Sequence, residues 1–171
     1  MSPLWLSLEV ALLALVHIIV VGLLLNYILK RYDMKGKALI DSVLTLPLVL
    51  PPVVVGFALL VIFSPGGAFG AWLQSIGIQV VFSKMGAVLA SSIIGFPLFY
   101  QTVRAALSSI DPAVEDVART LGASELRIFF TISIPLAWKG IVTGAILAFS
   151  RALGEFGATI LIAGNIPGLT R

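Results

Sequence analysis

Apolar residues fall in four long runs along the chain, at 4–29, 43–63, 86–103 and 140–163, with polar residues gathered between them. A helix needs about 20 mainly apolar residues to cross a hydrocarbon core, so all four runs are candidate spans. They are continuous rather than alternating, which excludes the in–out pattern of a membrane barrel. Backbone groups left unpaired in lipid are costly, so the runs are predicted as helices. The stretch between the third and fourth runs, 104–139, is too long for a simple turn and has a pattern of its own. Asp111-Pro112 opens a helix there, because Asp caps free amides and Pro is accommodated in the first turn. Glu115 and Asp116 follow in that turn, where a negative charge suits the positive end of the helix dipole. Val114, Val117, Ala118 and Leu121 then form one apolar stripe at helical spacing. Gly122 breaks the helix, and a second short helical run extends from Ser124 to Thr131. By periodicity alone this segment is an interfacial amphipathic helix.

Composition supports a lipid environment. Of the 171 residues, 59% are hydrophobic and 11% charged, where a soluble domain carries about 25% charged residues. The first run has no Lys or Arg before it and a positive cluster after it, Lys30, Arg31, Lys35 and Lys37. That is the reverse of a secretory signal, so the run is a mature helix. Arg104, Arg119, Arg127 and Lys139 follow the third run, whereas the opposite side carries only Lys84 and Arg171. Positive charge favours the cytoplasmic side, so an alternating topology puts both clusters inside and the N-terminus outside. The net charge of +3 is spread between apolar runs, which argues against nucleic acid as a partner. There is no cysteine and one histidine, so no metal site is expected. No paired-carboxylate site or nucleophile–base set is present, so a catalytic role is not expected. Gly66 to Gly70 is glycine-rich but lacks the following Lys of a phosphate-binding loop; it is expected to be a turn. Glu9 and His17 are given no role. No internal repeat or soluble domain is visible, and 1–171 is expected to form a single membrane domain.

The spacing within 104–139 is specific. Asp116-Val117-Ala118, three residues, Gly122, nine residues, then Ile132-Ser133-Ile134-Pro135 resembles the EAA loop of bacterial ABC importer permeases. There the pattern is Glu-Ala-Ala, three residues, Gly, nine residues, Ile-x-Leu-Pro. Ala118, Gly122, Ile132 and Pro135 match it, while Asp116 stands for Glu, Val117 for Ala and Ile134 for Leu. The resemblance implies a type I ABC importer permease bundle with a cytoplasmic coupling helix that docks on a separate ATPase subunit. It implies coupling roles for Glu115, Asp116, Ala118, Gly122, Ile132 and Pro135, with the two acids available to basic groups of the ATPase. The chain needs no cofactor of its own, ATP being bound by that partner.

Two further stretches bear on the pathway. Pro47, Pro51 and Pro52 lie in the second run, where each removes a backbone donor and crowds a preceding carbonyl. The outcome is either a packing kink or a bent helix that lines the pathway or its gate. Arg151 and Glu155 lie in the fourth run, four residues apart on one expected helix face, where they can neutralise each other. They read either as a structural pair or, for Arg151, as an aid to an anion crossing a low-dielectric zone. Small residues recur on two faces of that run, Gly140-Gly144-Ala148 and Ser150-Gly154-Ala158, as suits a helix packed on both sides, such as at a dimer interface.

Leu46 to Gly56, with Arg151-Ala152-Leu153-Gly154-Glu155-Phe156-Gly157 and Ala163-Gly164-Asn165-Ile166-Pro167-Gly168, resembles the molybdate permease subunits of ABC importers. Sulfate permeases share the Arg-Ala-x-Gly-Glu part. The resemblance covers nearly the whole chain from about Leu4. It implies a homodimer in the bacterial inner membrane, two cytoplasmic ATPase subunits and an extracytoplasmic molybdate-binding protein. Permeases for sulfate, thiosulfate or tungstate are the alternatives, and a channel or secondary transporter is a third. Such permeases continue into a further helix, so the bundle is expected to show four transmembrane helices and to lack its last one.

Overall fold

The computed structural model describes residues 3–32, 35–164 and 166, and the regular structure within them is helical. The helices are α1 (Pro3–Arg31), α2 (Lys37–Thr45), α3 (Pro52–Phe63), α4 (Ala68–Ser75), α5 (Lys84–Ser108), α6 (Pro112–Thr120), α7 (Glu125–Ile128), α8 (Ile134–Leu153) and α9 (Gly157–Ala163). A 3-10 turn, Leu46–Leu48, follows α2, and a π-helical turn, Phe129–Ser133, leads from α7 into α8. Three stretches are long and apolar enough to cross a membrane: Leu4–Arg31, Lys84–Ser108 and Glu125–Leu153. A fourth span exists if the pair Lys37–Leu48 and Pro52–Phe63 is taken as one.

Helix α5 is the centre of the bundle. Ala90, Ile94, Phe99, Tyr100 and Val103 are fully buried along it, and α1, α3, α8 and α9 all pack against it. Small residues allow the close approaches, as expected where lipid supplies no hydrophobic drive between helices. A Cβ on Gly22 of α1 would lie 2.5 Å from the Phe99 ring, and one on Gly140 of α8 would lie 2.3 Å from Ala106. The predicted face Gly140-Gly144-Ala148 therefore packs on α5 of the same chain.

One expectation is sharpened and one corrected. The prolines break the second run into two helices at 112°. Pro47 sits in the 3-10 turn, Pro51 takes an extended backbone (φ −57°, ψ 137°) and Pro52 starts α3. A residue that precedes proline is pushed out of the helical region, and the two adjacent rings remove two donors, so the helix stops. The fourth span is not 140–163. The helical path begins at Glu125, runs to Leu153, and breaks before α9. The apolar run misplaced the span because the polar residues of α7 belong to the same helical path, while 157–163 forms a separate short helix packed on α3 and α5. The second small-residue face is interrupted by this break: Ser150 is exposed on α8, whereas Ala158 is buried on α9. Of the glycine-rich stretch, Gly66 and Gly67 turn the chain as predicted, but Ala68 to Gly70 open α4.

The two breaks meet. A Cβ on Gly56 of α3 would lie 2.6 Å from the Ala158 Cα, and one on Gly157 would lie 3.3 Å from Pro52. The far end of α9 is tied to the α4–α5 loop by the Phe82 amide, which donates to the Ile162 carbonyl at 2.7 Å.

Candidate coupling site

Helix α6 begins where Asp111 and Pro112 predict. The Asp111 carboxylate accepts from the Ala113 amide at 2.9 Å, and Pro112 occupies the first turn. The helix ends in a Schellman motif. The Gly122 amide donates to the Arg119 carbonyl at 2.9 Å, and the Ala123 amide to that of Ala118 at 3.0 Å. Gly122 takes φ +82°, a left-handed conformation that costs an L residue about 1–2 kcal/mol. Ser124 then caps α7 by accepting from the Arg127 amide. Pro135 lies in the first turn of α8 and has no N–H, so it cannot donate to the Thr131 carbonyl, and its ring crowds that carbonyl. The π-helical turn immediately before it, which includes Ile132, is the local answer to that crowding.

The widened turn holds Ser133 facing α6. Ser133 is buried and its hydroxyl donates to the Glu115 carboxylate at 2.7 Å. Glu115 is itself only 5% exposed and pairs with Lys30 at the end of α1. Tyr27 of α1 packs on Phe129 with ring centroids 4.9 Å apart. Helix α6 is thus fastened to the spans α1 and α8 through one carboxylate. Burial alone pushes the Glu115 carboxyl up, but the hydrogen bonds from Lys30 and Ser133 outweigh it and hold the group below its ordinary value. On the outer side, the Arg119 guanidinium bonds Glu125 at 2.7 and 3.1 Å and Asp116 at 2.6 Å. Hydrogen bonds to Glu125 and then Asp116 hold it still more firmly protonated than usual. These bonds lock α6 to α7 across the Gly122 turn. A cleft of about 530 Å³, walled by Lys30, Glu115, Arg119 and Glu125, separates the pair from the end of α1.

The apolar stripe is divided by this arrangement. Val114, Val117 and Leu121 are 44%, 60% and 82% exposed, so the α6–α7 unit presents an apolar tip. The two acids predicted to act together also separate. Asp116 is on the surface, whereas Glu115 faces inward and is spent on Lys30 and Ser133; it is not available to a second protein. Sequence reasoning missed Lys30, Arg119 and Ser133 as parts of this unit. The spacing of Arg119 from Glu115 and Asp116 was a readable signal; the approach of Lys30 and Ser133 was not.

Arg151 and Glu155 lie elsewhere. Arg151 is in the last turn of α8 and Glu155 in the break before α9, not in mid-helix as expected. One Glu155 oxygen accepts from Arg151 at 2.8 Å and the other from the Ala158 amide at 2.7 Å. The carboxylate, 1% exposed, therefore joins the end of α8 to the start of α9. It lines a small cavity with Lys84, which pairs with Glu9 of α1. Pro47 stands apart from Glu155, lining an apolar pocket with His17 and Phe96. Asn165, Pro167 and Gly168 of the last predicted motif lie outside the described residues.

A helical membrane bundle with a braced, apolar-tipped helix–turn–helix at one end has the form of a transporter's permease subunit. Residues 18–171 match the family of binding-protein-dependent transport system inner membrane components, and the chain belongs to that family. It is 51% identical over 167 residues to the molybdenum transport system permease protein ModB of Escherichia coli (strain K12), covering 97% of this chain and 73% of that protein. It is 43% identical over 171 residues to the putative molybdenum transport system permease protein YvgM of Bacillus subtilis (strain 168), covering 99% and 75%. The sulfate transport system permease protein CysT of Escherichia coli (strain K12) is 39% identical over 151 residues, which cover 88% of this chain and 54% of that one.

Proposed function

We propose that this chain is the membrane-spanning subunit of an ATP-driven importer for molybdate. The observation that carries the coupling part is the α6–α7 unit, fastened at its base by Glu115 and bearing an apolar tip of Val117 and Leu121. A braced projection transmits a rigid-body push, whereas a mobile loop would absorb it. The tip docks on a separate cytoplasmic ATPase subunit, with Asp116 at its polar edge and Ala118, Gly122, Ile132 and Pro135 setting the shape of the unit. That end of the bundle, with Lys30, Arg31 and Arg104, is cytoplasmic, and the N-terminus is outside. Two copies of the chain enclose the pathway. An extracytoplasmic binding protein delivers the anion, and ATP binding and hydrolysis in the partner rock the bundle between outward and inward openings.

Molybdate is supported by relatives whose names carry molybdenum and which match this chain more closely than the sulfate permease does. The breaks at Pro51-Pro52 and at Gly154–Gly157, which abut, form the bend at which the pathway opens, and Arg151 with Glu155 sets the angle of the second break. The test is ATP hydrolysis by the reconstituted assembly with molybdate, tungstate or sulfate on the binding protein. Stimulation by molybdate and tungstate alone is expected. Stimulation by sulfate keeps the importer and replaces the substrate, and an assembled complex that answers to no anion overturns the reading.

A further inference from the structure

We infer that the cavity among the ends of α1, α2 and α5 is a binding site for a tetrahedral oxyanion, supplied by a phospholipid headgroup or by a free inorganic anion. The cavity measures about 100 Å³ and is lined by Asn26 and Lys30 of α1, Lys37 of α2, and Tyr100, Arg104 and Ser108 of α5. A water's share of liquid volume is about 30 Å³, so the space suits about three waters or one small four-oxygen anion. Three cations from three different helices converge on it, and no carboxylate lines it. Glu115 and Asp41 pair with Lys30 and Arg104 from outside that lining. Among the described residues, Lys37 forms no salt bridge. Three positive charges against those two carboxylates leave one in excess. Lys37 also opens α2, so the positive end of that helix dipole adds to the field.

Cations gathered at one end of a bundle repel one another, and an anion between them turns that repulsion into attraction. The Asn26 amide is already committed to the Gly22 and Tyr100 carbonyls, so recognition is by charge and size. The cavity sits at the ends of membrane-spanning helices, the height at which lipid phosphates lie, and basic pockets between such helices hold acidic headgroups. The inference does not depend on which anion the protein transports.

The test uses the full chain purified in detergent. Native mass spectrometry follows retention of phosphatidylglycerol, and equilibrium dialysis of delipidated protein follows radiolabelled inorganic phosphate. Lys37→Gln removes a cation that breaks no described ion pair, and a charge-assisted hydrogen bond is worth about a factor of ten or more in binding. Binding is expected to fall about tenfold in Lys37→Gln and to be unchanged in Lys139→Gln, an exposed cation of α8 that does not line the cavity. Ser108→Asp, at an exposed rim position, should give the same loss and keeps the test alive if Lys37→Gln fails to fold. A loss confined to phosphatidylglycerol assigns the headgroup, and a loss of phosphate binding assigns a free anion. Absence of both in the wild type overturns the inference, as does an equal loss in Lys139→Gln.

Discussion

Glu115 is the residue on which the α6–α7 unit hangs, because its carboxylate serves two spans at once. Replacing it with Ala strands the half-buried Lys30 ammonium and the buried Ser133 hydroxyl. A hydrogen bond to a charged group contributes about 1.5–3 kcal/mol, and the partial exposure of Lys30 puts this one at the lower end. Hydrogen exchange of amides 113–121 is therefore expected to rise about tenfold in Glu115→Ala, with the long helices unaffected. The same carboxyl makes the unit pH-sensitive. Its folded-state value lies below the ordinary 4.5, so its stabilisation is complete above 4.5 and fades as the pH falls through the folded value. Exchange corrected for intrinsic rate should stay flat from neutral pH down to about 4.5 and rise below it. Glu115→Gln should weaken that dependence, leaving the part carried by Glu125, whose carboxyl the Arg119 hydrogen bond also holds below its ordinary value. Gly122 has a different constraint: a Cβ there would touch nothing, so the cost of substitution is backbone conformation alone. Gly122→Val should uncouple ATP hydrolysis from transport, while Gly122→Asn, which tolerates positive φ, should retain most coupling. Full anion-stimulated hydrolysis in the Val variant would contradict the role of the turn.

Among the elements, the breaks carry the consequences. Glycine permits the crossing of α3 and α9, since a side chain at Gly56 would meet the Ala158 backbone and not a movable side-chain tip. Overpacking of this kind costs about 1–3 kcal/mol, which for a chain of this size lowers Tm by about 2–12 °C. Gly56→Val should show that loss in a detergent melt. Gly154→Ala, with no neighbour nearer than 3.6 Å to the new Cβ, should melt within about 1 °C of the wild type; equal melting of both variants would remove the α3–α9 contact from the description of the core. The sites of both breaks were differently legible. Three prolines within six positions announced that the second run could not be straight, because a missing donor is a local fact. The end of α8 at Leu153 gave a weaker sign, Gly154 between Arg151 and Glu155: apolar residues resume through 163, and hydropathy does not distinguish one spanning helix from two helices in succession.

For the whole molecule, Val117 and Leu121 leave an exposed apolar tip at the end of α6. Leu121→Asp should leave the detergent melting temperature within about 1 °C, since an exposed surface position seldom matters to stability. It should nevertheless weaken association with the ATPase subunit at least tenfold in a pull-down titrated with that subunit. Unchanged association would place the docking surface elsewhere. The chain's own pattern determined that it lives in lipid, that it is helical, where two of its spans lie, and that a capped helix and a glycine turn follow the second of them. Those properties are local: hydropathy, caps and proline each act within a few residues. Only the tertiary structure decided that Glu115 turns inward while Asp116 turns out, that Lys30 reaches Glu115 across 85 positions, and that the breaks at Pro51-Pro52 and Gly154–Gly157 meet. Such pairings depend on how three long helices pack around α5, and packing in lipid is chosen by shape and close approach, which the order of apolar residues does not encode.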